Sequence, residues 1–329
     1  MIDSQIHVWA RENLPNGNRW EFARRAARAR LPYRDPATIF PRVGEVVWDP
    51  DGVALLKYLD ECQIEMAIHQ VCDFGPCFGE EAEWSIEQIH RHAYDLTQRY
   101  PGRIKFCCGV DPRRHDALQC LERCVVEFGA VGWQCFPANG FAPNDPIAYR
   151  MYEKCLQLDV PVVIRTGTGD IGPYTAFSHP FLVEDVARSF RDLDIVMEHA
   201  GGGLDMLWRE ALMVASVNPN VTLQLGLWQN DVFGNDIEPD REGEFLKILS
   251  VMRRRIGAHR ILWGSDHDRS RPARPTKAWA QLFQDLPATS ATFGTVFSQK
   301  EATLISGENA RRIFRLDRHV IAREERDGQ

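Results

Sequence analysis

Apolar and polar positions along the chain fall into two alternating kinds of segment. Short runs of apolar and β-branched residues stand at 2–8, 64–71, 103–110, 130–136, 160–166, 194–200, 221–226 and 260–266. Between them lie longer stretches whose apolar residues recur every three to four places, at 51–62, 83–100, 117–129, 148–158, 181–190, 204–217 and 244–257. The first kind predicts buried strands, the second the helices that cover them. Eight such alternations predict an α/β protein, a (β/α)8 TIM barrel forming one domain over residues 1–329. A doubly wound sheet would carry a G-x-G-x-x-G turn after its first strand, and none stands there. The glycines of RTGTGDIG (165–172) lack that spacing and read as an active-site loop, so no nucleotide cofactor is expected.

Two stretches interrupt the alternation. Residues 9–50 form a long insertion after the first strand, with Trp20, Phe22, Tyr33 and Phe40 to fold it. It suits a lid, an inert surface insertion or a subunit contact. The charged tail 317–329 suits fraying or contact with a neighbour.

Composition narrows the classes of function. The chain has 329 residues, 44% hydrophobic and 26% charged, with a formal net charge of −7. Nucleic-acid binding needs a cationic footprint, which this charge does not supply. No run approaches the roughly 18 apolar residues of a membrane span, and Met1 leads straight into a strand with no signal-peptide pattern, so a cytoplasmic location is expected. Nine scattered cysteines suit buried reduced thiols rather than a disulfide framework. In CLERC, Cys120 and Cys124 have i, i+4 helical spacing, which fits two core-facing thiols and, less readily, a pair of metal ligands.

The candidate chemistry lies at the ends of the strands, where a barrel carries its site. In MIDSQIHVW, Asp3, Gln5 and His7 alternate with apolar neighbours and are expected to share one face. The other strand ends add Gln70, Asp73, Asp111, Gln134, Arg165, His199, Gln224 and Asp266. Glu198, one residue before His199, is expected to point away from the lumen. Trp133, Trp228 and Trp263 fit either a pocket wall or the core.

Three motifs occur in order: EHAGGG (198–203), ILWGSDHD (261–268) and ISGENARRIFRL (305–316). Together with GRIKFCCGVDP (102–112) they resemble the second amidohydrolase family, the metal-dependent-hydrolase-like barrels that include aminocarboxymuconate semialdehyde decarboxylase. The resemblance implies a metal held by two histidines of the first strand, one each of the fifth and sixth, and an aspartate of the eighth. Carried over, those positions are Gln5, His7, Arg165, His199 and Asp266, so two of the five ligands are altered. His7, His199 and Asp266 remain as candidate metal ligands, enough for one divalent ion such as Zn²⁺, Fe²⁺ or Mn²⁺. Arg165 opposes a nearby dication but suits a carboxylate bidentately. The candidate catalytic residues are therefore Asp266, His199 and Arg165, and Arg165, His267 and Gln5 are candidates for substrate binding.

The resemblance implies a hydrolase or carbon–carbon lyase, such as a decarboxylase, acting on a small carboxylated acid with at most one metal. It also admits metal-free lactone hydrolysis, for which Asp266 would be the base. Two other readings stay open at this point: a dead site in which Arg165 pairs with Asp266, and a degenerate subunit supporting an intact paralogue in a hetero-oligomer, as in some non-haem hydroxylases. A homo-oligomer is the simpler assembly.

Overall fold

The computed structural model describes residues 1–45, 47–167, 174–233, 241–267 and 276–317. All eight expected strands are present, each shorter than its apolar run: β1 Ile2–Ile6, β2 Met66–Gln70, β3 Ile104–Cys107, β4 Trp133–Cys135, β5 Val162–Arg165, β6 Ile195–Glu198, β7 Val221–Gln224 and β8 Ile261–Leu262. Every pairing is parallel, with β1–β3 in one sheet and β4–β8 in another. Single bridges join the two sheets at both seams, Cys108 with Trp133 and Ile6 with His267. The strands are short because only their central residues lie in the ladder. Beyond them the chain turns out into the loops that make the mouth.

Helices cover the outside as the spacing predicts. Ile86–Arg99 begins with a reciprocal capping box between Ser85 and Gln88, which satisfies amide groups at its first turn. Pro146–Gln157 starts with proline at its first position and Asp145 capping the amide of Ile147. Among the described residues no helix is long and apolar enough to cross a membrane.

The inside of the barrel has two layers. At the bottom, Ile2, Met66, Ile68, Cys107, Val131, Val163, Val196 and Leu262 pack with Ala310, Ile313, Phe314 and Leu316 of the C-terminal segment. This apolar plug closes one end. One step further along the strands the inward positions become polar, so the buried hydrogen-bonding groups gather at the C-terminal mouth.

The insertion is more structured than a loop. It contains the helix Asn16–Arg28 and short turns at Arg11–Asn13, Pro36–Ile39 and Phe40–Arg42. Trp20 stacks on Phe40 at 4.1 Å, and the Arg19 guanidinium lies 4.5 Å from the same ring. Its two ends meet where the Asp49 amide donates to the Trp9 carbonyl at 2.9 Å. Trp9, Phe74 and Phe136 then form an apolar cluster with Cys72 and Ala138 beside the mouth.

Gly109, just beyond β3, passes so close to the loop after β2 that an added Cβ would lie 1.8 Å from the Val71 carbonyl oxygen. Because that obstacle is backbone, Gly109→Ala is expected to cost roughly 2–4 kcal/mol, read as a lowered denaturant midpoint. An unchanged midpoint would show that the two loops do not pack this closely.

Candidate active site

β1 carries an irregularity between Asp3 and Ile6, and it separates the polar residues that simple alternation would group. Asp3 turns aside. Its carboxylate accepts from the Ser265 amide and hydroxyl, the Tyr58 hydroxyl and the Gln5 amide. Burial still raises its pKa to about 6. It anchors the turn after β8 rather than joining the site, which corrects the expectation of one shared face for Asp3, Gln5 and His7.

Gln5 and His7 do reach the mouth, where they meet His199 and Asp266. The Gln5 Nε2 donates to Asp266 Oδ1 at 2.8 Å and lies 3.3 Å from His199 Nε2. Its Oε1 accepts from Gln224 Nε2 at 2.8 Å. Gln224 Oε1 in turn accepts from the amides of His199 at 3.1 Å and Gly226 at 2.9 Å. These contacts fix the orientation of both carboxamides, since a flipped amide would set donor against donor.

They also fix the state of His199. Its Nδ1 donates to the Gly226 carbonyl at 3.0 Å, leaving Nε2 as the acceptor that faces Gln5. Burial, and then the nearby Arg165 charge, lower its pKa to about 3. His199 is thus a neutral ring. His7 is the opposite case. Its Nδ1 donates to the Gln70 carbonyl at 2.8 Å, and its Nε2 sits 3.1 Å from Asp266 Oδ1, an ionic contact without good hydrogen-bond alignment. Burial works against its charge, but Cys72 and Asp266 together raise its pKa well above the ordinary value.

Arg165 and Glu198 are direct partners in the β5–β6 register, and in a parallel pair such neighbours share a face. Glu198 therefore points into the lumen, against the expectation. The alternation used to place it fails because the strand ends there: His199 and Ala200 take left-handed φ values of 62° and 44°. Glu198 Oε2 accepts from Gln134 Nε2 at 3.1 Å and lies 3.6 Å from His199 Nε2 and 3.8 Å from Arg165 Nη1. Burial raises its pKa, against the pull of Arg165. Its Oε1 is buried and, among the described residues, has no hydrogen-bond partner. Arg165 is thus paired with Glu198 rather than Asp266, loosely, and its guanidinium stands 4.8 Å over the Phe136 ring.

The remaining candidates separate from this group. His267 stacks on Tyr58 at 3.9 Å, and its carbonyl accepts from the His7 amide. Asp73 is held by Arg114 and Asp111 by Arg113. Trp133, Trp228 and Trp263 are core, and Trp228 Nε1 supports the His199 carbonyl at 2.8 Å. Most of the loop 165–172 and nearly all of the tail lie outside the described residues. Sequence reading missed the roles of Glu198 and Gln224. The strand register was the signal for the first, and polarity at a strand end for the second.

The donor set does not fit a resident dication in this arrangement. An N–H of Gln5 sits where His199 Nε2 and Asp266 Oδ1 converge, and the fixed charge of Arg165 lies close by.

The chain matches the model of the amidohydrolase family, described as Amidohydrolase, over residues 2–316. It belongs to that family. No curated protein sequence matches the chain. Among solved structures, an uncharacterised TIM-barrel protein from Bordetella bronchiseptica is 16% identical with a TM-score of 0.65, covering 96% of this chain and 98% of that one. A probable 2-pyrone-4,6-dicarboxylic acid hydrolase from Acinetobacter baumannii, with citric acid bound, is 14% identical with a TM-score of 0.60, covering 95% and 98%. A dihydroxybenzoic acid decarboxylase from Polaromonas with bound manganese is 15% identical with a TM-score of 0.59, covering 96% of both chains. These likenesses fix the family's TIM-barrel fold for this chain, and the last shows that members of this fold hold a divalent metal.

Two predictions follow from the amide network. Gln224→Leu leaves Gln5 Oε1 and the amides of His199 and Gly226 unsatisfied, so a loss of roughly 2–5 kcal/mol is expected in denaturant unfolding. A change below about 0.5 kcal/mol would mean that the ladder is not formed. The second concerns pH. An unfolded His199 returns to the ordinary value of 6.5 while the folded ring holds about 3, so the unfolded state binds more protons between these values. Stability should therefore fall as pH drops through that window, and His199→Asn should flatten the acid limb. Histidine ¹⁵N shifts showing a charged His199 at pH ~6 would contradict the assignment.

Proposed function

We propose that this amidohydrolase-fold chain is a metal-independent hydrolase of a small carboxylated compound. The observation that carries the reading is the Gln5 Nε2, which supplies neutral N–H donors to His199 and Asp266 where a cation would otherwise bind both. Arg165 is the anion-binding group: its contact with Glu198 at 3.8 Å is too long for a hydrogen bond, so its fork is open to a substrate carboxylate. Phe136, beneath that guanidinium, and the neighbouring Phe74 and Trp9 give an apolar wall suited to a planar substrate body.

In this arrangement Asp266 is the general base that takes a proton from the attacking water. The neighbouring His7 imidazolium stabilises its charge, and Gln5 holds its orientation. Glu198, kept towards its neutral form by burial, is placed beside Arg165 to donate a proton to a leaving oxygen. The A. baumannii protein, a probable hydrolase of a pyrone dicarboxylic acid on the same fold, supports a hydrolase of this substrate class as the reading. The manganese-bound decarboxylase is the contrast.

The test is turnover of a panel of carboxylated lactones and esters by chain stripped with chelator. Activity is expected to survive stripping and to fall by about 10²-fold or more in Asp266→Asn. Collapse on stripping with recovery on added Mn²⁺ would defeat the proposal. Arg165→Met should raise KM more than it lowers kcat, whereas Glu198→Gln, which removes the proton donor, should lower kcat by about 10²-fold or more. Gln5→His with Arg165→His should raise divalent-metal occupancy at the mouth above wild type, read by elemental analysis after removal of weakly bound ions.

A further inference from the structure

On the outer flank of β3, away from the mouth, three sulfurs and one imidazole meet. Cys108 directly follows β3, Cys120 and Cys124 lie one turn apart on the helix Ala117–Val126, and His90 faces them from the helix Ile86–Arg99. One donor atom from each of the four lies within 4.8 Å of all the others. The Cys120 Sγ to His90 Nδ1 distance is 3.6 Å. A tetrahedral zinc with bonds of about 2.3 Å to sulfur and about 2.0 Å to nitrogen spaces its donors roughly 3.5–3.8 Å apart. The cluster therefore needs to contract by no more than about one ångström to reach that spacing.

We propose that His90, Cys108, Cys120 and Cys124 form a closed structural site for a thiophilic divalent cation, zinc above all. Three cysteines and one histidine are a complete donor set for such a site. Soft thiolates select zinc over the hard ions that carboxylates prefer. His90, Cys108 and Cys124 are buried while Cys120 is partly exposed, which gives the ion an entry path. Simple thiol packing does not account for the clustering. Other core cysteines stand apart from this group, as Cys135 does beside the Tyr152 hydroxyl, whereas these three converge from two elements on a buried imidazole.

Loading is an exchange of protons for metal with no electron transfer. Three thiol protons leave as three thiolates bind. The Gly109 amide donates to His90 Nε2 at 3.1 Å, which places the ring proton on Nδ1 in the metal-free chain. For Nδ1 to bind, that proton must move to Nε2 and the Gly109 contact must open, so one hydrogen bond is lost against four metal bonds. Binding therefore strengthens with rising pH. The ion would clamp both helices onto β3, fixing the shoulder from which Asp111 and Arg113 project.

The experiment uses the intact chain purified with zinc and no added chelator. A thiol-blocking mercurial in the presence of a chromogenic zinc chelator should release about one ion per chain, the capacity of a single four-donor site. Replacement by Co²⁺ should give a sulfur-to-cobalt charge-transfer band in the near ultraviolet, which the nitrogen and oxygen donors of the mouth cannot produce. The band should persist in His7→Ala with Asp266→Asn and vanish in Cys120→Ser with Cys124→Ser. If the cysteine variant fails to fold, the two wild-type measurements decide alone. No mercurial-released zinc and no charge-transfer band in wild type, or cobalt bound with nitrogen and oxygen signatures only, would overturn the site whatever the mouth proves to do.

Discussion

The mouth of this barrel depends on two facing carboxamides. Gln5 and Gln224 hold each other across the lumen, and between them they satisfy a carboxylate, an imidazole nitrogen and two backbone amides. Each of these groups is buried, so each would carry a desolvation cost if its partner were lost. The backbone makes room for the pair. A Cβ at Gly226 would fall 2.2 Å from Gln5 Oε1, and one at Gly264 would fall 2.2 Å from Gln224 Nε2. The glycines just beyond β7 and β8 are thus the steric counterpart of Gln5 on β1. The carboxamide ladder therefore needs open space beyond β7 and β8 as well as Gln5 on β1.

Electrostatics follow from the same exchange. With Glu198 held towards its neutral form by burial, Arg165 and a charged His7 face the carboxylate of Asp266 within the chain itself. The pairing is local rather than uniform. Asp266 is paired on one side through His7, and Glu198 on the other through Arg165, with the neutral His199 between them. Arg165 thus has an acid close by that is not hydrogen-bonded to it, so a carboxylate binding there, as proposed, would break no tight ion pair.

The fold was legible because a strand period of two and a helix spacing near four are written along nearly the whole chain, and each expected strand is found inside its apolar run. The site was legible by residue type but not by direction. Gln5, His7, Gln134, Arg165, His199, Gln224 and Asp266 come together while Asp73 and Asp111 stand apart, and alternation misplaced Asp3, where β1 slips register, and Glu198, where β6 ends in a left-handed turn. Both errors have one cause: side-chain period holds only while the backbone stays regular, and active-site strands end irregularly. Asp266 itself has φ 52°, so the same irregularity presents its carboxylate to the mouth. The partnership of Arg165 with Glu198 could be known only from the register between strands, which no single strand encodes.

The clasp between Trp9 and Asp49 has a consequence for how such a protein diversifies. Because the insertion leaves and rejoins the barrel at one hydrogen bond, with Trp9 also stacked on His7 at 5.2 Å, it is a closed excursion whose base is fixed. Its interior can lengthen, shorten or be rewritten without pulling on β1, since the entropy of a longer closed loop grows only slowly with length. A change of length inside the insertion is thereby kept from shifting Gln5 and His7 at the end of the strand below it.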